Sequence, residues 1–322
     1  MAASTVRMDR VILGQLLTQI GDRPMTAVTV ADVEEFRVSK SRSMGANSLN
    51  TVRAVLRSFF GWCRQTGLMT ADPMLTWRVR PVMPGRKLFI PPQDFPVVLG
   101  AAVSPRDRVF IALGLYTFLR QSEITDLRIA DLDLTRDEIE VTIHKTSQRD
   151  LMPICSELRS ELDRWLHHYR QEAPEGLLDP EWYLVPAQTR QPRPGGRLLC
   201  PQSRFRSTWR NVQTALDVAG LPYDRGEGGH TLRRSGARAL YDHLVAQGHD
   251  YAIRRVQSML HHSSIAMTER YLGVTADIKR RNESLRGRPM FPPVAVPSAP
   301  ILPLGWEDGN QRSDAQGIVM AG

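Results

Sequence analysis

The first 80 residues carry apolar side chains at helical spacing. Within residues 48–66 the apolar positions recur every three or four residues, which is the period of one helix face. These positions are Leu49, Val52, Val55, Leu56, Phe59, Phe60 and Cys63. A similar pattern ends at Gly21, a residue suited to a left-handed helix end, and Thr29 with Asp32 resembles a capping box that opens a short helix. We therefore predict a helical domain over residues 1–80.

Proline and glycine interrupt this pattern. Residues 81–92 contain four prolines and one glycine together with Arg86 and Lys87, so we predict a partly extended linker between two domains. The second domain is predicted to span residues 93–287. Residues 288–322 hold six prolines, which prevent a regular helix. This tail is predicted either to be disordered or to dock as an extended arm.

The second domain mixes helical and strand periods. Residues 109–119 are strongly apolar and helical in character, whereas Glu138–Ile143 alternates as EIEVTI and Arg149–Ile154 resumes as RDLMPI, which predicts a hairpin. Residues 173–196 are rich in proline and glycine and are predicted to be largely loop, with a short strand at Trp182–Val185. The predicted fold class is mainly α (α+β), with a small antiparallel β-sheet in the second domain.

The charge balance favours a polyanionic partner. Lysine and arginine outnumber acidic residues 42 to 34, a net charge of +8, which suits a nucleic acid or an anionic membrane face. Arg53, Arg57 and Arg64 lie away from the apolar stripe of the third predicted helix. A basic face is often only solvated, so these three, with Arg86 and Lys87 of the linker, are candidate DNA contacts.

Other features of the sequence bear on the cellular compartment. No apolar run approaches the roughly 18 residues of a membrane-spanning helix. The first ten residues interleave charges and lack the apolar core of a secretory signal. Cys63, Cys155 and Cys200 are far apart and form no CxxC pair, which argues against both a disulfide framework and a zinc site. We expect a cytoplasmic protein in a reducing environment.

Three separated segments hold polar residues that packing does not explain. Arg120 directly follows the apolar run. His230 and Arg233 are three positions apart, and so on one helix face, in a helix that Thr231 is predicted to cap. Residues 260–272 hold two adjacent histidines and a tyrosine. Taken singly, each has an ordinary interpretation as a helix cap, a surface arginine, a polar turn or a packed tyrosine.

In this order the segments resemble the tyrosine recombinases, the phage-integrase family, whose pattern is an arginine, a hairpin lysine, HxxR, a histidine and a tyrosine. The likeness extends from the helical first domain, which is similar to the family's core-binding domain, to the helix that follows the tyrosine. It implies that Glu123 supports the first arginine through a buried ion pair. The implied catalytic residues around a scissile phosphate are Arg120, Lys145, His230, Arg233, His262 and Tyr271.

Two positions within this resemblance have a second interpretation. The family commonly has glycine before the late histidine, whereas this chain has His261, so His261 and His262 could exchange roles. Lys145 lies in the turn of the predicted hairpin, where a lysine is more often only solvated. The remaining histidines match no motif and are predicted to be structural or exposed: His144, His167, His168, His243 and His249.

The residue types suit phosphoryl transfer. The transition state spreads negative charge over the phosphate oxygens, so cations must be placed in advance, and arginine can donate two hydrogen bonds while staying protonated. Tyr271, with an ordinary pKa near 10, needs a base, for which His230 is the candidate. Lys145 would protonate the departing sugar oxygen, and His262 would donate to the phosphate. The sequence has no carboxylate cluster for magnesium and no P-loop, so we expect no cofactor.

The resemblance implies a site-specific DNA recombinase that forms a 3′-phosphotyrosine and a free 5′-hydroxyl, with four protomers exchanging strands through a Holliday junction. Its partners would be a double-stranded recombination site and further copies of the chain, in the cytoplasm and on the nucleoid. The alternatives are a type IB topoisomerase or DNA-end resolving enzyme, and a DNA-binding accessory protein without catalysis. We expect no separate arm-binding domain before the core-binding pattern. The sequence does not reveal the DNA target.

Overall fold

The computed structural model describes residues 3–82, 88–144, 148–190, 197–206, 208–223 and 227–274. The chain divides into two compact units between Lys87 and Leu88. Some predicted features lie outside the described residues, namely Arg86, Lys87, Lys145 and the tail at 288–322. None of the helices within the described ranges is both long and apolar enough to span a membrane.

The described part of the first unit is helical, as predicted. Its α-helices are α1 (Ala3–Ile20), α2 (Val30–Ser41) and α3 (Ala46–Gln65). Gly21 takes the left-handed conformation, with φ of 76°, directly after α1. The Thr29 side chain accepts the Asp32 N–H, and the Asp32 carboxylate accepts the Thr29 N–H at 2.8 Å, which confirms the capping box. Phe36 and Leu56 are fully buried between these helices.

The second unit combines helices with two small antiparallel sheets, which confirms the predicted fold class. Its helices are α4 (Phe95–Gly100), α5 (Pro105–Tyr116), α6 (Gln121–Asp126), α7 (Ser156–Glu172), α8 (Thr208–Val218), α9 (Gly229–Ala246), α10 (Ala252–Met259) and α11 (Ile265–Leu272). Its strands are β1 (Leu132–Asp133), β2 (Glu138–Ile143), β3 (Gln148–Pro153), β4 (Pro186–Arg190) and β5 (Arg197–Arg204).

The predicted hairpin is the β2–β3 pair. Strand β2 is central in the order β1-β2-β3, and Ile143 pairs with Gln148 at the end that leads to Lys145 in the sequence. Along β2 the buried side chains are Ile139, Val141 and Ile143. This alternation places one face of the strand on the core and the other toward solvent.

The expectation for residues 173–196 was wrong in part. Residues 182–185 do not form a strand; Leu184 and Val185 are buried as irregular chain, and the Leu184 N–H donates to the Leu127 carbonyl. The strand begins at Pro186 instead and pairs with β5. The apolar run therefore marks burial rather than strand, whereas the sequences of β4 and β5 mix polar and apolar residues without a clear alternation.

Helix α5 lies at the centre of the second unit. Its residues from Val109 to Leu115 are all buried, so it is covered on every side. Helix α9 crosses it closely, because a Cβ at Gly236 would lie 1.8 Å from the Leu115 carbonyl oxygen. Leu232 packs against Gly114 in the same contact. This close approach brings the start of α9 beside the residues that follow α5.

Candidate active site

Arg233 is the buried centre of a polar cluster. Its residue surface is 2% exposed, and its guanidinium donates to the Phe118 carbonyl and, at 2.5 Å, to the Leu260 carbonyl. Phe118 has a left-handed backbone with φ of 56°, a costly conformation for a bulky residue. The guanidinium therefore joins the chain after α5 to the end of α10.

A single buried carboxylate faces two arginines. Glu123 lies in the first turn of α6 and accepts the Arg120 N–H at 2.7 Å and the Arg120 guanidinium at 2.8 Å. The Oε2 atom of Glu123, which accepts the Arg120 N–H, is also 3.9 Å from an Arg233 nitrogen. The structure thus brings Arg120 and Arg233, 113 positions apart in the sequence, to one acidic group, and Glu123 stands in the ion pair predicted for it.

Tyr271 lies in the last turn of α11, half-buried beside this cluster. Its hydroxyl donates to the His230 carbonyl oxygen at 3.4 Å. Burial raises the pKa of Tyr271 above its ordinary value of 10, and the Arg233 guanidinium, which faces the phenol oxygen, opposes that rise. The phenol is therefore protonated at neutral pH and needs a base before it can attack.

The two adjacent histidines face different elements. The His262 ring meets the Tyr271 ring edge to face, with centroids 5.2 Å apart, and its Nδ1 lies 3.1 Å from the Thr268 hydroxyl. His261 has φ of 51°, and its Nε2 lies 2.6 Å from the Asp150 carboxylate on β3. Of the two, the structure brings His262 next to Tyr271 and His261 next to the hairpin.

His230 is the second residue of α9 and is exposed at the surface. Desolvation by the surrounding protein atoms lowers the pKa of His230 below its ordinary value of 6.5, and the positive charges of Arg233 and Arg234 lower it further. A lowered pKa keeps the imidazole neutral, and so able to accept a proton, at neutral pH.

Thr231 is not the cap of α9, contrary to the prediction. Gly228 occupies the capping position, and the Thr231 hydroxyl, within the first turn, accepts the Gly228 N–H at 3.1 Å. The physical reason is local packing, since a Cβ at Gly228 would lie 3.3 Å from Trp209 Cβ. A glycine that lets the chain pass close to α8 allows the helix to begin three residues earlier.

Sequence reasoning missed a second acidic and basic pair. Glu227 accepts the Arg234 guanidinium at 2.7 Å and the Leu88 N–H at 3.2 Å, and it also accepts the Thr231 hydroxyl. Arg234 in turn donates to the Leu88 carbonyl at 3.0 Å. Arg234 follows the HxxR motif directly, but its acidic partner is seven positions away, and nothing in the sequence marks the pair as joined.

The candidate DNA contacts of the first unit differ in their surroundings. Arg53 donates to the Trp77 carbonyl at 2.6 Å and is half-buried. Arg64 forms an ion pair with Asp72 at 3.3 Å. Arg57 is exposed. The three guanidinium groups therefore differ in how available they are to a ligand.

Lys145 lies outside the described residues, and the nearest described residues on its two sides are His144 and Gln148. His144 Nε2 is 2.9 Å from Asp126 Oδ2 at the end of α6, and Gln148 begins β3. Within the described ranges, no group of three or more histidine, cysteine, aspartate or glutamate side chains is placed to hold a metal ion.

The sequence that forms this site matches a protein-family model. The model of the phage integrase family matches residues 97–277, which include every predicted catalytic position. The chain belongs to the phage integrase family.

Individual relatives agree with the family. Tyrosine recombinase XerD of Mycobacterium leprae is 30% identical over 299 residues, which cover 86% of this chain and 88% of the relative. Tyrosine recombinase XerC of Lactobacillus delbrueckii subsp. bulgaricus is 27% identical over 252 residues, which cover 76% of this chain and 78% of the relative.

Solved structures share the fold. A lambda integrase fragment, in a dimer bound to a COC′ core site, aligns with a TM-score of 0.64 over 84% of this chain and 89% of that chain, at 16% identity. The Tn1549 transposon integrase, in complex with circular intermediate DNA, also gives 0.64, over 88% of this chain and 94% of that chain, at 18% identity.

Proposed function

We propose that the protein is a site-specific DNA recombinase that cleaves and rejoins double-stranded DNA through a covalent phosphotyrosine. This proposal rests on the position of the Tyr271 hydroxyl. It lies 3.4 Å from the His230 carbonyl, next to the Arg233 guanidinium and the His262 ring. A phenol among cationic and imidazole groups has the surroundings that attack on an anionic phosphodiester requires.

In the proposed reaction the Tyr271 oxygen attacks the scissile phosphorus, and the bond from phosphorus to the 5′ oxygen breaks. His230 takes the phenol proton, and Lys145 donates a proton to the departing oxygen. The products are a 3′-phosphotyrosine and a free 5′-hydroxyl. Rejoining reverses these steps with the 5′-hydroxyl of another strand. One phosphodiester replaces another, so the reaction needs no nucleotide hydrolysis.

The arginines have the task of binding the non-bridging oxygens. A guanidinium has five N–H donors, of which two in Arg233 are directed at backbone carbonyls. Glu123 holds Arg120 in place while leaving its side chain partly exposed. His262 would add a further hydrogen bond to the same oxygens. The backbone carbonyls and Glu123 thus hold the two guanidinium groups in place before negative charge develops on the phosphate. Such preorganisation is the condition for electrostatic stabilisation of the transition state.

The proposal includes the partners and the place of action. The helical unit at 1–87 would act as a core-binding, DNA-clamping domain. A lambda integrase tetramer bound to a Holliday junction shares the fold of this chain, with a TM-score of 0.64 at 16% identity. We therefore assign a tetramer on a double-stranded recombination site as the working assembly, in the cytoplasm and on the nucleoid.

Covalent trapping tests the proposal. Duplexes selected from a random-sequence pool by binding to the purified protein would be nicked beside the cleavage position, so that the short leaving strand diffuses away. The wild-type protein should accumulate a denaturant-resistant DNA adduct. Tyr271→Phe should bind the duplex with equal affinity and form no adduct.

The same assay separates the alternatives. Relaxation of supercoiled plasmids without any selected site would indicate a type IB topoisomerase. Binding without an adduct from the wild-type protein would indicate an accessory DNA-binding protein, and it would overturn the proposal.

A further inference from the structure

Helix α11, which carries Tyr271, is short. It contains eight residues, and an α-helix of this length is marginal unless other parts of the protein hold it. Tyr271 and Leu272 are its last two residues. The carbonyl groups at the end of a helix have no partner within the helix. The groups that bind this end of α11 therefore restrict where the Tyr271 phenol can lie.

Arg238 of α9 binds the end of α11. Its Nη1 donates to the Leu272 carbonyl at 2.8 Å, and its Nε donates to the two oxygens of Asp242, one turn further along α9, at 2.9 and 3.0 Å. The carboxylate fixes the direction of the guanidinium fork. A cation at the C-terminal end of a helix also suits the helix dipole. Arg238 thus joins the helix of the HxxR motif to the residue that follows Tyr271.

The Phe89 ring lies against the same end of α11. Gly273, directly after the helix, has φ of 72°, and a Cβ placed on it would lie 3.6 Å from the ring. The guanidinium carbons of Arg234 and Arg238 are 5.4 and 5.9 Å from the centre of the ring, within the range of a cation–π attraction. The ring is therefore close both to α9 and to the end of α11.

Backbone hydrogen bonds hold Phe89 beside α9. The carbonyl of the preceding residue, Leu88, accepts the Arg234 guanidinium at 3.0 Å. The N–H of the following residue, Ile90, donates to the Ser235 hydroxyl oxygen at 2.8 Å. Both neighbours of Phe89 are therefore tied to α9 by contacts that do not involve α11, so the ring is a fixed surface for the end of that helix.

We propose that Arg238 and Phe89 are positioning residues for Tyr271, which fix the last turn of α11 so that the phenol oxygen faces the phosphate. This inference rests on the proposed function, because it takes Tyr271 as the nucleophile. Arg238 acts through the Leu272 carbonyl and Phe89 acts through Gly273, so neither side chain needs to touch the DNA. A misplacement of about 1 Å can slow a reaction about 100-fold, so a loosened last turn slows attack.

Arg238→Ala separates positioning from DNA binding. Single-turnover adduct formation on the nicked duplex should slow by about 10- to 100-fold. The affinity for the duplex and its salt dependence should match the wild type, because the side chain is not a DNA contact. Arg238→Lys keeps a donor for the Leu272 carbonyl and should recover most of the rate. Phe89→Leu removes the ring and should also slow adduct formation at unchanged affinity.

Arg159→Ala is the matched control. Arg159 of α7 makes a similar set of contacts, since its Nη1 donates to the Leu134 carbonyl at 2.7 Å and its Nε donates to both oxygens of Asp163, four positions on, at 3.1 Å. Its removal should lower the melting temperature about as much as Arg238→Ala does. The rate of adduct formation should stay at the wild-type value, because these contacts do not hold α11.

Fluorine NMR follows the Tyr271 ring without any reaction. In protein labelled with 3-fluorotyrosine, the signal that Tyr271→Phe removes belongs to Tyr271. The His262 ring meets the Tyr271 ring edge to face, with centroids 5.2 Å apart, so a change in their arrangement changes the chemical shift of this signal. The signal should move in Arg238→Ala and should keep its position in Arg159→Ala.

Three results would overturn the inference while leaving the recombinase proposal intact. The first is a wild-type rate of adduct formation in Arg238→Ala. The second is a slow rate that comes with weaker DNA binding, or with a melting temperature well below that of Arg159→Ala. The third is a fluorine signal of Tyr271 that does not move in Arg238→Ala. Failure of the wild-type protein to form any adduct would overturn both proposals.

Discussion

Glu123 sets the charge balance of the arginine cluster. The carboxylate is 2% exposed and lies within 4 Å of Arg120 and Arg233. Two guanidinium groups repel each other, and a buried guanidinium without a counter-charge is costly. The carboxylate permits both arginines to stand in one place without a bound anion.

Removal of this carboxylate should destabilise the fold. We expect Glu123→Ala to lower the free energy of unfolding by about 3 kcal/mol, because it leaves Arg233 buried without its acidic neighbour. Urea unfolding followed by circular dichroism measures the change. Glu140→Ala, which breaks an exposed ion pair with Arg149 at 2.7 Å, should cost less than about 1 kcal/mol. Equal effects of the two substitutions would contradict the central place of Glu123.

The lowered pKa of His230 predicts the pH dependence of cleavage. A base must be neutral, and a pKa below 6.5 keeps the imidazole neutral to a lower pH than usual. The midpoint of the acidic decline in the rate of adduct formation should therefore lie below pH 6.5. The raised pKa of Tyr271 keeps the phenol protonated throughout this range.

Single-turnover adduct formation between pH 5 and 8 checks this expectation. His230→Ala should be slower and should lose the decline at acidic pH. A wild-type midpoint above 6.5, or an unchanged profile in the variant, would exclude His230 as the base.

At the residue scale, the sequence indicated the types of catalytic group but not their surroundings. Arg120, Arg233 and Tyr271 stood out through motif order, and the structure brings them together. The choice between His261 and His262 stayed open, because adjacent residues can face opposite ways. Only the backbone after α10 shows that the second of them meets Tyr271.

At the scale of elements, the packing of α9 on α5 places the HxxR motif. Gly236 lies where the helices touch, and a methyl group there would overlap the Leu115 carbonyl oxygen. Since α9 carries His230 and Arg233, any separation of the two helices moves Arg233 away from the Phe118 carbonyl and Glu123 and displaces His230 with it.

Gly236→Ala should therefore damage both stability and cleavage. We expect the free energy of unfolding to fall by about 3 kcal/mol through overpacking. Gly14→Ala in α1 is the control, since a Cβ at Gly14 meets nothing within 4 Å. It should raise the free energy of unfolding by about 0.5–1 kcal/mol, because alanine loses less conformational freedom than glycine when the helix forms. Thermal and urea unfolding measure the stability of the two variants. A neutral Gly236→Ala would show that α5 and α9 lie farther apart than described.

The elements differ in how far the sequence predicts them. Helix α3 has an apolar stripe along one side, so its period was evident, and β2 alternates cleanly. Residues 182–185 are apolar because they are buried in irregular chain, and β4 and β5 pair through their backbones with mixed side chains. Periodicity reports which side chains are buried, and it cannot report a strand whose faces do not differ.

At the scale of the whole molecule, the net charge of +8 predicts how DNA binding responds to salt. Phosphate neutralisation releases counterions, so the logarithm of the association constant should fall linearly with the logarithm of salt concentration. Arg57→Ala should reduce that slope by about 1 if the exposed side chain contacts a phosphate. Fluorescence anisotropy measures the slope between about 50 and 200 mM salt. Over this range the affinity of a protein that contacts several phosphates falls by orders of magnitude.

Arg159→Ala is the matched charge control. Arg159 already pairs with Asp137 at 2.6 Å and Asp163 at 3.1 Å, so its removal should leave the slope unchanged. A salt-independent affinity would contradict a DNA-backbone contact, and equal slopes for wild type and Arg57→Ala would remove Arg57 from the interface.

The identity of the residue that becomes joined to DNA tests the central claim most directly. Adducts trapped on a nicked duplex would be digested with trypsin and nuclease, and the modified peptide would be sequenced by mass spectrometry. We predict a nucleotide attached through its 3′ phosphate to Tyr271, with a 5′-hydroxyl on the released strand. Attachment to any other residue, or through a 5′ phosphate, would contradict the assignment of Tyr271 as the nucleophile of this cluster.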